Sequence, residues 1–281
     1  MTWFQALLLG VIQGFTEFLP VSSSGHLIIG REILGVGVAE NVTFEVLVHT
    51  ATVLSTLTVF WKEILNLLAK FFKFQWNEET QYICKILVSM IPVLIVGLFF
   101  KDTVESFFGE GLVLVGSMLL VTALLLALTR FVRFRENKPL TFGRSFLIGC
   151  AQAVAVLPGL SRSGSTIATG LLSGVRKEEV AQFSFLMVII PILGESFLDL
   201  IGGNFSFSQC GLSFQALICG FISAYICGVL ACRFMISIVK KANLAWFSIY
   251  CAIVGIIAII FGLCQRIRLC MLPSSSCQSS K

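Results

Sequence analysis

The chain has 281 residues, of which 57% are hydrophobic and only 12% charged. Soluble domains carry roughly 25% charged and 45–50% apolar residues, so a large soluble helical domain is excluded. The net charge of +5 does not indicate a nucleic-acid partner, because Lys and Arg fall between apolar runs, as positive-inside topology requires.

The first apolar stretch, about residues 4–30, is broken by Pro20 and by Ser22-Ser23-Ser24-Gly25-His26. It lacks the basic n-region of a signal peptide, so it is expected to stay in the mature protein. Its arms are too short to cross a bilayer, which takes about 20 residues. A re-entrant hairpin is expected, tolerated at membrane depth only where protein or water satisfies its backbone. Long apolar runs follow at about 43–60, 82–100 and 112–130. A second broken stretch, about 145–172, is interrupted by Pro158-Gly159 and Ser161-Arg162-Ser163-Gly164-Ser165. Three more runs, at about 183–200, 214–232 and 244–262, complete the pattern. The expected fold is all-α, a single polytopic membrane domain over 1–281 with about six transmembrane helices and two re-entrant helical hairpins. Residues 269–281 read as a flexible tail. Most of the ten cysteines, such as Cys84, Cys150 and Cys219, stand singly in apolar runs and read as small buried hydrophobes.

The two broken stretches repeat each other. Leu9-Gly10-Val11-Ile12-Gln13 pairs with Ile148-Gly149-Cys150-Ala151-Gln152, and Leu19-Pro20 with Leu157-Pro158 after a one-residue slip. Gly35-Val36 and Phe44 match Gly174-Val175 and Phe183. Halves at approximately 1–135 and 140–268, each with one hairpin and three spans, would enter from opposite sides as inverted repeats. The basic connections near 61–81, 130–144, 170–182 and 233–243 are expected in the cytoplasm. The first hairpin then opens outward, and Arg266 and Arg268 in an outward tail are a mild contradiction.

Ionisable residues at membrane depth cost roughly 2.5–3.5 kcal/mol each, yet Glu17, His26 and Arg162 lie beside the breaks. A structural ion pair would explain the charges but not the Ser, Gly and Pro at both breaks. Arg162 offers a fork of donors suited to phosphate oxygens. Ser161, Ser163, Ser165 and Thr166 add hydroxyls, and Ser22–Gly25 opens a second helix whose free N–H groups favour an anion. Gln13 and Glu17 share a helical face. Ser23 reads as a nucleophile, with His26 or Glu17 as base. These parts point to phosphoryl transfer or hydrolysis.

The run from Gln13 to His26 resembles the first signature of bacterial undecaprenyl-diphosphate phosphatases, the membrane enzymes linked to bacitracin resistance. Pro158 to Thr166 resembles the second, and Thr43-Phe44-Glu45 and Phe183-Ser184-Phe185 extend the likeness over nearly the whole chain. The resemblance implies hydrolysis of undecaprenyl diphosphate to recycle the lipid carrier of cell-wall synthesis, in the bacterial cytoplasmic membrane, with the site opening outward. It implies catalytic roles for Glu17, Ser23, His26 and Arg162. Ser22, Ser24, Ser161, Ser163 and Thr166 are the expected phosphate contacts. It further implies a divalent cation, Mg²⁺ or Ca²⁺, for which Glu17 and Gln13 are the candidate ligands. The expected partner is a polyprenyl diphosphate lipid, and a homodimer stays open.

Two positions depart from the family. Members often carry Glu where this chain has Gln13, which can neither carry charge nor act as a base. His49 stands where Gln is common, on one face with Glu45. Glu195 and Asp199 share a face, and pairing within the core is the favoured reading. An inverted-repeat transporter or flippase for an anionic lipid is the competing function; a nucleophile beside a base discriminates against it.

Overall fold

A computed structural model describes residues 1–36, 41–108, 111–131, 138–194, 212–241 and 244–271. Twelve helices are named in chain order: α1 (Trp3–Phe18), α2 (Ser23–Leu34), α3 (Asn41–Val59), α4 (Trp61–Phe71), α5 (Glu78–Phe99), α6 (Lys101–Phe108), α7 (Leu112–Phe131), α8 (Phe142–Val154), α9 (Arg162–Leu172), α10 (Lys177–Met187), α11 (Phe214–Lys241) and α12 (Ala245–Met271). Four stretches, Glu78–Phe99, Leu112–Arg130, Phe214–Val239 and Ala245–Gln265, are long and apolar enough to cross a bilayer. A fifth forms if α3 and α4, bent by 76° at Phe60, are taken together. The protein is thus an all-helical, multi-pass membrane protein.

Two sequence expectations change in detail. Residues 61–81 are not a plain basic connection, because α4 carries Trp61, Leu65 and Leu68 exposed on one side, alongside Lys62 and Lys70. Such a helix suits the membrane interface. The run expected at 183–200 is interrupted at Val188, which caps α10, and resumes as helix over 189–194. Residues 195–200, with Glu195 and Asp199, lie outside the described residues, as do most of the 201–213 connection and the tail from 272.

Each broken stretch forms two helices joined by a tight polar turn, α1–α2 and α8–α9. The turns start their second helices in the same way. Ser22 Oγ accepts from Gly25 N–H at 3.2 Å, and Ser161 Oγ from Gly164 N–H at 3.0 Å. A serine N-cap satisfies one of the orphan donors of a helix start. The second helices also end alike. Gly35 (φ 64°) and Gly174 (φ 84°) take left-handed conformations, and the amides of Val36 and Val175 return to Arg31 and Gly170 carbonyls. That closure suits glycine, which lacks the Cβ that clashes there.

Packing crosses between the halves. Helix α1 lies along α11, α8 along α5, and α7 along α12. Bare glycine backbones let these axes approach. A Cβ at Gly10 would sit 2.4 Å from the Gly220 carbonyl oxygen, and one at Gly149 2.2 Å from the Ser89 carbonyl oxygen. In an ordinary exposed helix Gly→Ala is stabilising by about 1 kcal/mol. Here the sign reverses, since neither backbone can yield without moving a helix. Gly149→Ala is expected to destabilise by about 1–3 kcal/mol, the range of overpacked cores, read as a lower thermal midpoint in detergent. An unchanged or raised midpoint would show that α8 and α5 are not in register as described.

Phe44 and Phe183, which correspond in the repeat, are both buried, at 2% and 0% exposure, one in each of the two main apolar clusters. The outward faces of α5, α7, α11 and α12 expose Leu98, Leu124, Leu230 and Ile257, as helices facing lipid do.

Candidate active site

The tips of the two hairpins meet. Ser163 Oγ donates to the Leu19 carbonyl at 3.0 Å, and the Gly159 amide reaches Ser24 Oγ at 3.5 Å. Gly159 (φ 92°) lies so close to Val115 that a Cβ would stand 2.5 Å from its carbonyl oxygen. The Ser161 amide donates to Thr122 Oγ1 of α7 at 3.0 Å. The starts of α2 and α9 therefore converge on one place. Ser23 and Arg162 are the first residues of those helices, each following its serine cap.

Glu17, one residue before the end of α1, is the centre of the cluster. Its side chain is 8% exposed. Ser23 Oγ donates to Glu17 Oε2 at 2.6 Å, and Gln13 Nε2 donates to the same oxygen at 3.0 Å. Arg162 stands 3.5 Å from Glu17 Oε1. A buried carboxylate needs such partners, because an unpaired one would titrate or destabilise the fold. The i,i+4 spacing of Gln13 and Glu17 produces their contact.

His49 reaches in from α3. Its Nδ1 lies 3.0 Å from Gln13 Nε2 and 3.5 Å from Glu17 Oε2. Two acceptors, the carboxylate and the imidazole nitrogen, thus take both amide hydrogens of Gln13. Gln13 is fully buried, and its Oε1 has no hydrogen-bond partner. An unsatisfied buried acceptor costs about 1–3 kcal/mol, so this oxygen is poised for a ligand. With the Glu17 carboxylate it supplies two hard oxygens. Mg²⁺ characteristically uses one or two protein oxygens together with substrate phosphates, so the donor set fits a divalent cation shared with a phosphate. Among the described residues no group of three or more His, Cys, Asp and Glu forms a protein-only cage.

The remaining expected residues divide between the cluster and its supports. Ser22 and Ser161 use their hydroxyls as helix caps. Ser22 is buried and holds a positive φ of 71°, a conformation that costs of order 1–3 kcal/mol in a non-glycine residue and gathers at functional sites. Thr166 is turned toward Ser184 (2.5 Å) and the Arg162 carbonyl (2.9 Å). Ser165 Oγ is buried without a partner. His26 does not share the hydrogen bonds of Glu17 and Ser23. Its Nδ1 faces the Ser22 carbonyl at 2.7 Å, and its Nε2 faces Tyr250 of α12 at 2.8 Å. Glu17, not His26, is therefore the acceptor within hydrogen-bond reach of Ser23. Farther out, Arg31 of α2 pairs with Glu45 of α3.

A pocket opens beside the cluster. Glu17, Arg162, Ser163, Thr52 and Thr56 line its polar end, and Phe18, Val53, Phe185 and Ile192 its apolar walls. Thr52 and Thr56 come from α3, far from either signature in sequence. They sit three and seven residues after His49, a helical spacing that is the one signal the sequence held for them.

Fold and cluster together define a polytopic membrane protein with an anion-suited site that holds a hydroxyl against a buried carboxylate. The chain belongs to the bacitracin resistance protein BacA family, whose model matches residues 6–257. An undecaprenyl-diphosphatase of Bacteroides fragilis is 55% identical over 263 residues, covering 92% of this chain and 98% of that protein. One from Parabacteroides distasonis is 55% identical over 260 residues, with 92% and 98% covered. One from Christiangramia forsetii is 49% identical over 267 residues, with 94% and 100% covered.

Proposed function

We propose that the chain hydrolyses undecaprenyl diphosphate to undecaprenyl phosphate and inorganic phosphate. This enzymatic role serves lipid-carrier recycling for the cell wall and underlies resistance to bacitracin. The observation that carries it is the Ser23–Glu17 hydrogen bond of 2.6 Å beside Arg162, at the meeting of two helix N-termini. The transporter or flippase alternative needs an anion cradle but has no use for a hydroxyl poised against a base.

In this mechanism Arg162 and the free amides of α2 and α9 draw the terminal phosphate in. Ser23 Oγ attacks its phosphorus as Glu17 takes the hydroxyl proton. A new Oγ–P bond forms, and the bond to the bridging oxygen breaks with its electron pair leaving on undecaprenyl phosphate. Water then attacks the phosphoseryl group, releasing inorganic phosphate and returning Ser23. Ser22, Ser24, Ser161, Ser163 and Thr166 shape the cradle. A divalent cation, Mg²⁺ or Ca²⁺, would be held by Gln13 Oε1 and Glu17 and would neutralise phosphate charge when bound. Gln13, being uncharged, leaves the proton chemistry to Glu17.

The lipid tail suits the apolar walls of the pocket, from Phe18 to Ile192. The halves act as inverted repeats, a reading supported by their matching caps and crossed packing. The basic residues support a cytoplasmic-membrane orientation in which the site opens outward. Every site residue comes from one chain, so a homodimer would carry two complete sites.

Purified protein supplied with undecaprenyl diphosphate and Mg²⁺ or Ca²⁺ is expected to release phosphate. EDTA is expected to stop it, and added divalent cation to restore it. Full turnover in EDTA after removal of bound metal would eliminate the cation from this account.

A further inference from the structure

His26 is held from two sides. Its Nδ1 lies 2.7 Å from the Ser22 carbonyl oxygen. A carbonyl only accepts, so Nδ1 carries the hydrogen and the neutral ring presents Nε2 as an acceptor. Nε2 lies 2.8 Å from the Tyr250 hydroxyl, which donates to it while the ring is neutral. The two rings also stack, with centroids 5.6 Å apart and planes 9° apart. Tyr250 stands on α12, 224 residues away in the chain. Tyr250 is 44% exposed, and the side chain it meets through both ring and hydroxyl is His26.

We propose that Tyr250 is the positioning residue of His26 in the hydrolytic reaction. Its ring fixes the plane of the imidazole. Its hydroxyl holds Nε2, the one nitrogen left for proton exchange, until a phosphate oxygen or water takes that place. The carbonyl of Ser22, set by the positive φ at that residue, completes the tautomer from the other side. Tyr250 thus ties the last helix of the chain to the first turn of α2. The proposal rests on the hydrolytic reading given above and on the catalytic part that the family resemblance implies for His26, for which Nε2 is the nitrogen that could meet the phosphate or its water.

The chain has only two histidines, His26 and His49, so ¹⁵N-histidine labelling yields two assignable side chains. In the intact protein they are expected as opposite tautomers, His26 protonated at Nδ1 and His49 at Nε2. Tyr250→Phe keeps the stacked ring and removes the hydroxyl. It is expected to lower kcat about 10–100-fold, as loss of an orienting partner does, with KM for a prenyl diphosphate within about twofold. The His26 Nε2 signal should shift while the His49 signals stay in place. A kcat within about twofold of the parent overturns the proposal, and so does a reduced kcat with an unmoved His26 signal. His26→Ala, measured in parallel, separates the two levels. If it retains full turnover, the role given to His26 fails. If it is inactive while Tyr250→Phe is fully active, only the role of Tyr250 fails.

Discussion

Arg162→Ala is expected to reduce phosphate release by about 10³-fold, the upper range for removing one preorganised donor from a transition-state oxyanion. The reason is double. The guanidinium is the only basic side chain within ion-pair distance of Glu17 apart from His49 among the described residues. It also stands at the start of α9, beside the amides expected to receive the phosphate. Removing it leaves the Glu17 carboxylate, 8% exposed, short of a counter-charge. Breaking one side of a buried pair can destabilise by about 3–5 kcal/mol, so the thermal midpoint should fall as well. Arg162→Lys keeps the charge and much of the stability but loses the fork. Its activity is expected between the two, since a point charge cannot replace bidentate phosphate contact. Phosphate release by Arg162→Ala at the parental rate would refute the site.

Glu17→Gln is expected to cost about 10²–10⁴-fold, the range of a positioned general base. The amide keeps the volume but cannot take the Ser23 proton, and its NH₂ would face either the hydrogens of Gln13 and Ser23 or the guanidinium of Arg162. Ser23→Ala divides the remaining possibilities. Loss comparable to Glu17→Gln supports attack by Ser23, and a transient phosphoseryl adduct should be detectable in the parent by mass spectrometry. A normal rate in Ser23→Ala would remove the covalent step and leave Glu17 to activate water.

Much of this was legible in the amino-acid order because the signals are local. Pro20 and Pro158, each with Ser and Gly close by, mark the two breaks two and four residues past the ends of α1 and α8, whereas Pro92 in an unbroken apolar run stays inside α5. Ser22 and Ser161 cap helices through their own turns, and Gln13 meets Glu17 by helical spacing alone. Arg162 stands out in the sequence because a charge at membrane depth needs a reason.

What escaped depends on packing between distant segments. Nothing in the order of residues links His26 to Tyr250. An imidazole in the first turn of α2 looks free to serve Ser23 until the ring is placed, and it then faces the Ser22 carbonyl and α12 instead. His49 follows Glu45 at helical spacing, yet its hydrogen bond goes to Gln13. The α4 helix was hidden by its lysines, which made 61–81 look like a loop although Trp61, Leu65 and Leu68 lie on one helical face. The two hairpins are unequal partners in a similar frame. Each places a different side chain at the first turn after its serine cap, a hydroxyl in one and a guanidinium in the other.

The most direct test of this division of labour is phosphate release from undecaprenyl diphosphate by the purified, reconstituted protein. The parent should yield one inorganic phosphate for each undecaprenyl phosphate formed, with Glu17→Gln and Arg162→Ala both folded and both nearly silent. Parental turnover in either variant, or no phosphate from the intact protein with divalent cation present, would contradict the account.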